Sequence, residues 1–466
     1  MVFSSTVFLA FFLPFVLILY YNPFFKGRSF RNTVLLISSL IFYAWGEPLN
    51  IFILLISILI GWIIGFKINK SDSQRIAKVW LTLGLLIYII IFFVFKYLTF
   101  LSNELSFLLF DKASGIDILL PIGISFYMFQ LMSYLFDIYY KKSEPQKNLL
   151  NLGLYIAFFP QLIAGPIVRY KEIEYQIRNR KENKEDFTEG VLRFAFGLSK
   201  KVLIADYLAV FVDNIFMYID RNALLTFWVG AIAYTLQIYF DFSGYSDMAI
   251  GLGKIFGFHF SENFNFPYIS SSVTEYWRRW HISLSSWFRD YVYIPLGGGR
   301  KYVGKGRHII NLLTVWLLTG IWHGANWTFL VWGLSYFVLI VIEEYSGYKK
   351  KAIPVLGNIY TMFFVVVLFV IFRAENIGQA FDFIKGMLVV GENGLINDEA
   401  VFYMKKFAAI FIIGIVFATP LYKKLISIFE KLHLGIVVNA LSVFFFVLAL
   451  MQCISQTYSP FIYFNF

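Results

Sequence analysis

His323 is an imidazole inside an apolar stretch that is long enough to cross a membrane. Hydrocarbon penalises an ionisable side chain by about 2.5 kcal/mol or more, so a histidine kept there is a candidate functional residue. Gly320 and Gly324 leave room for another chain segment or a substrate to approach. Trp322 and Trp327 provide rigid walls with N–H donors. The alternative is a histidine that serves only helix packing.

A second histidine, His281, lies in a segment dense in tryptophan and arginine that runs from Glu275 to Tyr291. On a continuous helix, His281 shares one face with two tryptophans and a leucine, at positions i, i+3, i+4 and i+7. We predict that this face lines a donor-binding site, and an interfacial helix without a ligand is the alternative. The three neighbours are Trp277, Trp280 and Leu284.

Seven basic side chains occur within thirty positions around this segment, against the single carboxylate of Asp290. Guanidinium and ammonium groups bind phosphates through charge-assisted hydrogen bonds, so we predict a surface for an anionic donor. The stretch Gly299 to Gly306 approaches the P-loop pattern, but glycine replaces the final Ser or Thr and no buried strand precedes it, which argues against a nucleotide hydrolase. The seven are Arg278, Arg279, Arg289, Arg300, Lys301, Lys305 and Arg307.

Two carboxylates, Asp241 and Asp247, lie inside another apolar segment. Six residues turn a helix by about 600°, which separates their faces by roughly 120°. They are therefore poorly placed as a catalytic pair. We predict that each meets its own partner and has a structural role.

The composition is that of an integral membrane protein. Of 466 residues, 59% are hydrophobic and only 15% are charged, which no ordinary soluble domain matches. The net charge of +11 comes from short loops between apolar runs, which is typical of the positive-inside rule and not of nucleic-acid binding. Cys453 is the only cysteine, and no two histidines have the i, i+4 spacing of a zinc helix. We therefore predict neither disulfides nor a metal site.

The apolar runs predict an all-α polytopic membrane protein with about 11–12 spans, folded as a single domain over residues 1–466. Proline residues inside Leu149–Val168 predict a broken or re-entrant element. The segment Phe260–Arg307 is too polar to span, and we predict a lid or floor over a cavity. The predicted spans are Phe3–Tyr21, Thr33–Trp45, Asn50–Phe66, Val79–Phe95, Ile118–Tyr139, Val202–Ile219, Ala223–Leu252, Ile309–Trp322, Phe329–Ile342, Val355–Phe372, Phe407–Pro420 and Gly435–Gln452.

Loop charges predict the orientation. Basic loops follow the first, third and fifth spans, so both termini are expected outside the cell membrane and the basic loops in the cytoplasm. The acidic loops Glu104–Asp117 and Glu375–Glu399 then face outside. The second of them is expected to form a helix that contacts an extracellular partner, or that rests on the membrane. Its apolar residues are Phe381, Phe383, Ile384, Met387 and Leu388.

Five stretches together resemble the membrane-bound O-acyltransferase (MBOAT) family, in its bacterial alginate and peptidoglycan O-acetyltransferase branch. By this resemblance, His323 matches the family's essential histidine and His281 matches the second histidine of the branch. The resemblance implies an MBOAT-type helical bundle with a central funnel that meets at the essential histidine. The stretches are Pro121–Tyr127, Phe159–Pro166, Tyr239–Asp247, Tyr276–Gly297 and Trp322–Trp327.

The resemblance also implies acyl transfer from a cytoplasmic thioester to an extracytoplasmic acceptor. We expect acetyl-coenzyme A as the donor substrate, no permanently bound cofactor, and a polysaccharide acceptor reached through an extracellular partner. The acceptor is left open between alginate, peptidoglycan, teichoic acid and another glycan. D-alanyl transfer to teichoic acid from a carrier protein is the nearest alternative, and a transporter of lipid-linked sugars is the alternative from another class.

The residue chemistry fits acyl transfer. A neutral imidazole at His323 can take the proton of a hydroxyl that attacks a thioester carbonyl, a contribution of about 10²–10⁴-fold. Burial keeps the imidazole neutral and strengthens any donor placed at the developing oxyanion. Asn326, three residues after His323, is the candidate donor. The role of His281 is left open between orienting the thioester and relaying a proton.

Overall fold

The structure is a computed structural model that describes residues 1–110, 118–298, 304–348, 353–432, 434–455 and 461–462, without the side chains of 107–110 and 430. The described part is helical and contains no strand, which confirms the all-α class. The chain folds into two compact units. Whether they act as one domain, as the sequence predicts, stays a prediction.

Unit 1 comprises Met1–Ala195 and Tyr245–Ser261. The boundary after Ala195 falls inside the helix Lys184–Lys200. The helices are α1 (Phe8–Tyr20), α2 (Arg28–Gly46), α3 (Ile51–Asn69), α4 (Gln74–Phe110), α5 (Ile124–Tyr139), α6 (Leu149–Ala157), α7 (Phe159–Leu162), α8 (Tyr170–Asn179) and α9 (Lys184–Lys200).

Unit 2 comprises Phe196–Gly244 and Glu262–Phe466. Helix α9 continues through a π-helical turn, Lys201–Ala205, into the next helix. The helices are α10 (Asp206–Met217), α11 (Leu224–Ile255, which ends in unit 1), α12 (Val273–Arg279), α13 (Ile282–Phe288), α14 (Lys305–His323), α15 (Trp327–Tyr345), α16 (Pro354–Arg373), α17 (Ile377–Leu388), α18 (Asp398–Phe417), α19 (Leu421–Lys431) and α20 (Gly435–Ser455).

Six helices in the described part of the chain are long and apolar enough to cross a membrane: α3, α4, α15, α16, α18 and α20. Their number and hydropathy confirm a multi-pass membrane protein. The prediction of about 11–12 spans depends on further helices, such as the 16-residue α5, and stays a prediction.

One predicted loop is wrong. Helix α4 has 37 residues, so it extends well beyond the predicted span Val79–Phe95, and Glu104 lies on the helix. At 1.5 Å per residue, a helix of this length exceeds the roughly 30 Å of a hydrocarbon core. The rest of the predicted acidic loop, residues 111–117, lies outside the described part of the chain.

The element around Pro160 is broken, as predicted. Helices α6 and α7 are separated by Phe158, whose backbone is not helical. The break exposes backbone groups that need partners in a buried setting. The amide of Phe159 donates to Ser39 Oγ at 3.0 Å, and Tyr155 Oη donates to the carbonyl of Val168 at 2.9 Å. These bonds hold the broken segment in the interior of unit 1.

Asparagine N-caps begin several helices. Asn148 starts α6 by accepting from the amides of Leu150 and Asn151, and Asn376 starts α17 by accepting from the amide of Gln379. The short amide side chain satisfies donors that the first helical turn leaves open. Asn326 caps α15 in the same way, in the turn that follows the end of α14.

Close backbone approach joins α14 to α15. A Cβ at Gly320 would lie 2.6 Å from the carbonyl oxygen of Phe329, and one at Gly333 would lie 2.6 Å from that of Trp316. No side chain fits at such distances, so glycine at these positions brings the two helices together. The close packing fixes the end of α14, where His323 lies.

Candidate active site

His323 is the last residue of α14, and only 3% of it is exposed. Aromatic rings enclose the imidazole. The ring centroids of Trp322, Trp332 and Phe372 lie 4.8, 4.9 and 5.1 Å from that of His323, and all three rings meet it nearly edge to face. The imidazole is therefore buried among aromatic rings, as the sequence predicts.

The second tryptophan of this enclosure differs from the predicted one. Trp327 is 52% exposed, and the indole that packs against the imidazole beside that of Trp322 is the indole of Trp332. Helical geometry explains the difference. Trp327 begins α15, whereas Trp332 lies one and a half turns later and faces α14.

Asn326 is the N-cap of α15. Its Oδ1 accepts from the amide of Thr328 at 3.0 Å, and its Nδ2 donates to the carbonyl of Glu375 at 2.8 Å. These bonds hold the turn that follows His323. The oxyanion role predicted for Asn326 therefore competes with a structural one, because one amide hydrogen and the oxygen are already engaged.

The predicted continuous helix around His281 is wrong. Helix α12 ends at Arg279 and α13 begins at Ile282, so His281 lies between two short helices and does not share a helical face with Trp277 and Leu284. His281 adopts a left-handed backbone conformation, with φ of 43°. A non-glycine residue rarely takes this conformation, and such outliers cluster at functional sites.

His281 is completely buried. Its imidazole meets the ring of Phe242 edge to face, with centroids 4.6 Å apart, and the indole of Trp322 at 6.0 Å. Burial lowers the pKa of His281 to about 3, so the imidazole is neutral at neutral pH. Since Trp322 also contacts His323, the structure brings both predicted histidines into contact with one indole within unit 2.

Asn263 holds His281 in place, although the sequence analysis did not single it out. Asn263 Oδ1 lies 3.2 Å from His281 Nδ1 and accepts from the amide and the hydroxyl of Ser283, at 3.2 and 2.9 Å. The backbone carbonyl of Asn263 accepts from the amide of Ile282 at 2.9 Å. One buried asparagine thus fixes both the imidazole and the backbone around it.

Glu343 anchors the start of α12. Its carboxylate accepts from the amides of Val273 and Thr274, at 2.5 and 2.9 Å, and from the hydroxyl of Thr274 at 2.7 Å. A carboxylate at a helix N-terminus satisfies open donors and matches the positive end of the helix dipole. Only 1% of Glu343 is exposed, so this is a buried anchor between α15 and the segment that contains His281.

The predicted donor-binding residues are partly engaged with their neighbours. Arg279 pairs with Glu275 at 2.9 Å, and Arg289 pairs with Asp290 at 2.7 Å. The guanidinium of Arg307 donates to the carbonyl of Leu296 at 2.9 Å, which places the start of α14 beside the segment after α13. Arg278 and Lys305 are exposed, whereas Arg300 and Lys301 lie outside the described residues.

The two carboxylates of α11 have separate partners, as predicted. In unit 2, Asp241 pairs with Lys201 at 3.1 Å, and Lys201 also pairs with Asp206. In unit 1, Asp247 pairs with Arg193 at 2.9 Å. Within the described ranges, no group of three or more histidine, cysteine and acidic side chains is placed to hold a metal ion, and the absence of a metal stays a prediction.

The region that contains both histidines matches a known family model. Residues 146–377 match the model of the membrane-bound O-acyltransferase family. A probable alginate O-acetylase AlgI of Pseudomonas putida is 40% identical over 494 residues, which cover 100% of each chain. A peptidoglycan O-acetyltransferase of Helicobacter pylori is 33% identical over 85% of this chain and 81% of the relative. A teichoic acid D-alanyltransferase of Bacillus subtilis is 28% identical over 54% of this chain and 69% of the relative.

Proposed function

Because this chain belongs to the MBOAT family and is an O-acyltransferase, we propose that it moves an acetyl group from cytoplasmic acetyl-coenzyme A to an extracytoplasmic polysaccharide. The single observation that carries the proposal is the pair of buried histidines, His281 and His323, which both contact the indole of Trp322. Two imidazoles enclosed by aromatic rings are a setting for proton transfer away from water.

In the proposed reaction, His323 is the general base. It takes the proton of an acceptor hydroxyl while the hydroxyl oxygen attacks the thioester carbonyl. A carbon–oxygen bond forms, the carbon–sulfur bond breaks, and the coenzyme A thiolate leaves and takes up the proton. The ester product and the free thiol balance the substrates without any cofactor.

The donor is proposed to dock from the cytoplasmic side, because coenzyme A is too anionic to cross hydrocarbon. Arg278 and Lys305 are exposed and suited to its phosphates, whereas Arg279 and Arg289 would first have to leave their carboxylate partners. Arg307 and the undescribed Arg300 and Lys301 complete the proposed set.

Similarity favours an acetyl donor over D-alanine. The acetylase relative matches the whole of this chain at 40% identity, whereas the D-alanyltransferase relative matches about half of it at 28%. Alginate and peptidoglycan are the acceptors named for the acetylating relatives, and we propose an acceptor of this class. The family assignment also favours an enzyme over the alternative of a transporter.

We propose an extracellular partner that carries the acetyl group onward, because a buried histidine is badly placed to reach a bulky glycan. Helix α17 supports such a contact, since Phe381 and Leu388 on it are 67% and 63% exposed. Phe383 and Met387 point inward instead, which corrects the predicted stripe. The protein is proposed to lie in the cytoplasmic membrane with both termini outside.

The test uses the purified chain in lipid vesicles with two radiolabelled donors, acetyl-coenzyme A and a D-alanyl carrier protein. Release of coenzyme A, coupled to label in a hydroxyl-bearing glycan or in a co-purified partner, is the expected result. If only the D-alanyl carrier protein is used as a donor, the function is D-alanyl transfer and not acetyl transfer. No thioester cleavage with either donor would contradict the proposal.

A further inference from the structure

We propose that Asn263 is a positioning residue that fixes His281 as the neutral tautomer with its hydrogen on Nδ1, so that Nε2 acts as a hydrogen-bond acceptor toward substrate. The inference deepens the proposed function and rests on it for its catalytic meaning. The tautomer itself can be measured without any acyl transfer.

The first step is the orientation of the Asn263 side chain, which is completely buried. The amide of Ser283 lies 3.2 Å from Asn263 Oδ1. A backbone N–H can only donate, so the side-chain atom that faces it must be the oxygen. The hydroxyl of Ser283, at 2.9 Å, donates to the same oxygen.

The second step assigns the hydrogen on the imidazole. His281 Nδ1 lies 3.2 Å from this oxygen, which has lone pairs and no hydrogen. The bond therefore requires a hydrogen on Nδ1. In a neutral imidazole the other nitrogen, Nε2, then has the lone pair.

The third step concerns the backbone. The left-handed conformation of His281 brings its Cβ close to the following carbonyl, which is unfavourable for any residue with a side chain. The carbonyl of Asn263 accepts from the amide of Ile282, and its side chain accepts from the next amide, that of Ser283. Asn263 thus holds the strained turn and the imidazole together, as expected when strain serves a site.

The consequence is a limit on how His281 can contact the reactants. A lone pair on Nε2 cannot donate to a thioester oxygen, so His281 does not act as an oxyanion donor in its resting state. It can accept from the hydroxyl of the acceptor or from an amide N–H of the donor. Both interactions place a reactant beside His323, which shares Trp322 with His281.

The direct test is nitrogen NMR of the histidine-labelled full chain in lipid bilayers. The chain has five histidines, and the His281 signals are identified by their loss in His281→Asn. Asparagine tolerates the left-handed conformation, so this reference variant keeps the turn. We expect a signal from His281 in which Nδ1 has a hydrogen and Nε2 has none. A hydrogen on Nε2 would overturn the proposal.

Two substitutions separate positioning from mere stability. Asn263→Asp keeps the acceptor oxygen and should keep the tautomer, with transfer within about tenfold of wild type. Asn263→Leu removes the acceptor, and we expect a mixed tautomer and a fall in kcat of roughly 10²-fold with a smaller change in KM. The control is Asn222→Leu, which removes a different buried asparagine bond of unit 2, to the carbonyl of Ile215.

The outcomes distinguish this inference from the proposed function. If wild type is active but Asn263→Leu retains both the tautomer and kcat, Asn263 is not a positioning residue. If Asn263→Leu and Asn222→Leu lose activity equally and keep the same His281 tautomer, the loss reflects stability, and the inference is also wrong. If wild type transfers no acyl group from any donor, the proposed function is wrong. The tautomer of His281 then still tests whether Asn263 positions the imidazole.

Discussion

Two polar regions of this protein are built in opposite ways. In unit 1, Glu182 is surrounded by charge: Arg28 and Arg31 reach its carboxylate at 2.5 and 2.7 Å, and Tyr20 donates to it at 2.5 Å. In unit 2, His323 is surrounded by aromatic rings, and His281 by rings and one asparagine. We call these the Glu182 cluster and the histidine site.

The contrast separates structure from chemistry. In the Glu182 cluster, ion pairs between one carboxylate and the guanidinium groups of Arg28 and Arg31 hold the ends of α1 and α2 to the loop after α8. The imidazoles of the histidine site lie among aromatic rings, and such burial favours the neutral, basic form of the ring. An ionisable group kept among apolar side chains is the stronger sign of function.

Replacing one side chain in each region should give the largest difference in acetyl-transfer rate. We expect His281→Asn to lower acetyl transfer by roughly 10²-fold, because asparagine keeps the left-handed turn but lacks an imidazole. Tyr20→Phe removes a hydroxyl from the Glu182 cluster and should leave turnover near wild type. The comparison uses the acetyl-transfer rates of the two purified variants, measured at equal amounts of folded protein. Equal losses would remove the distinction between the regions.

Removing the anchor of α12 should have the next largest effect. Glu343→Leu leaves the amides of Val273 and Thr274 without their acceptor, a cost of about 1–3 kcal/mol for each buried donor. We expect a lower thermal midpoint together with about tenfold slower transfer, because the His281 turn loses its support. Glu344→Gln, at the exposed neighbouring position, is the control. Normal transfer by Glu343→Leu would show that α12 does not position His281.

Acid should weaken the Glu182 cluster. Burial raises the pKa of Glu182, but hydrogen bonds from Arg28 and Tyr20 lower it more, to about 2 from 4.5. The contribution of the cluster is therefore complete above about pH 4.5 and is lost as pH falls toward 2. Between these values, the thermal midpoint of wild type should fall more steeply than that of Glu182→Gln. Parallel curves would mean that the charge of the Glu182 carboxylate does not contribute to stability.

The smallest effect on stability is expected at the surface of α17. Phe381→Ala changes an exposed side chain and should alter the free energy of unfolding by less than about 0.5 kcal/mol. Phe383→Ala removes a buried ring that stacks on Phe216 with centroids 4.3 Å apart, and it should cost about 3–5 kcal/mol of unfolding free energy.

A photocrosslinker at position 381 in intact cells should trap one secreted or anchored protein. Crosslinks to lipid alone would contradict the proposed partner.

The sequence predicts the parts of this protein that follow from apolar periodicity and from ionisable residues in apolar runs. The helical class, the break near Pro160 and the burial of His323 are of this kind. So is the separate pairing of Asp241 and Asp247, because helical geometry alone places them on different faces.

The sequence does not predict contacts made between distant segments. Asn263 lies in a stretch without periodicity, 18 residues before His281, and no local pattern marks it as a partner of the imidazole. The left-handed turn at His281 likewise has no local signal, because it interrupts an otherwise helical pattern. Glu343 left a weak signal, a carboxylate at the end of an apolar run, which ionisable-residue reasoning could have used.

The central claim is that His323 is the base of an acyl transfer. Single-turnover acetyl transfer by His323→Ala, in vesicles loaded with acetyl-coenzyme A on the donor side, tests it most directly. The account predicts a loss of at least about 10²-fold in protein that remains folded and inserted in the membrane. A folded His323→Ala protein that transfers acetyl groups at nearly the wild-type rate would contradict it.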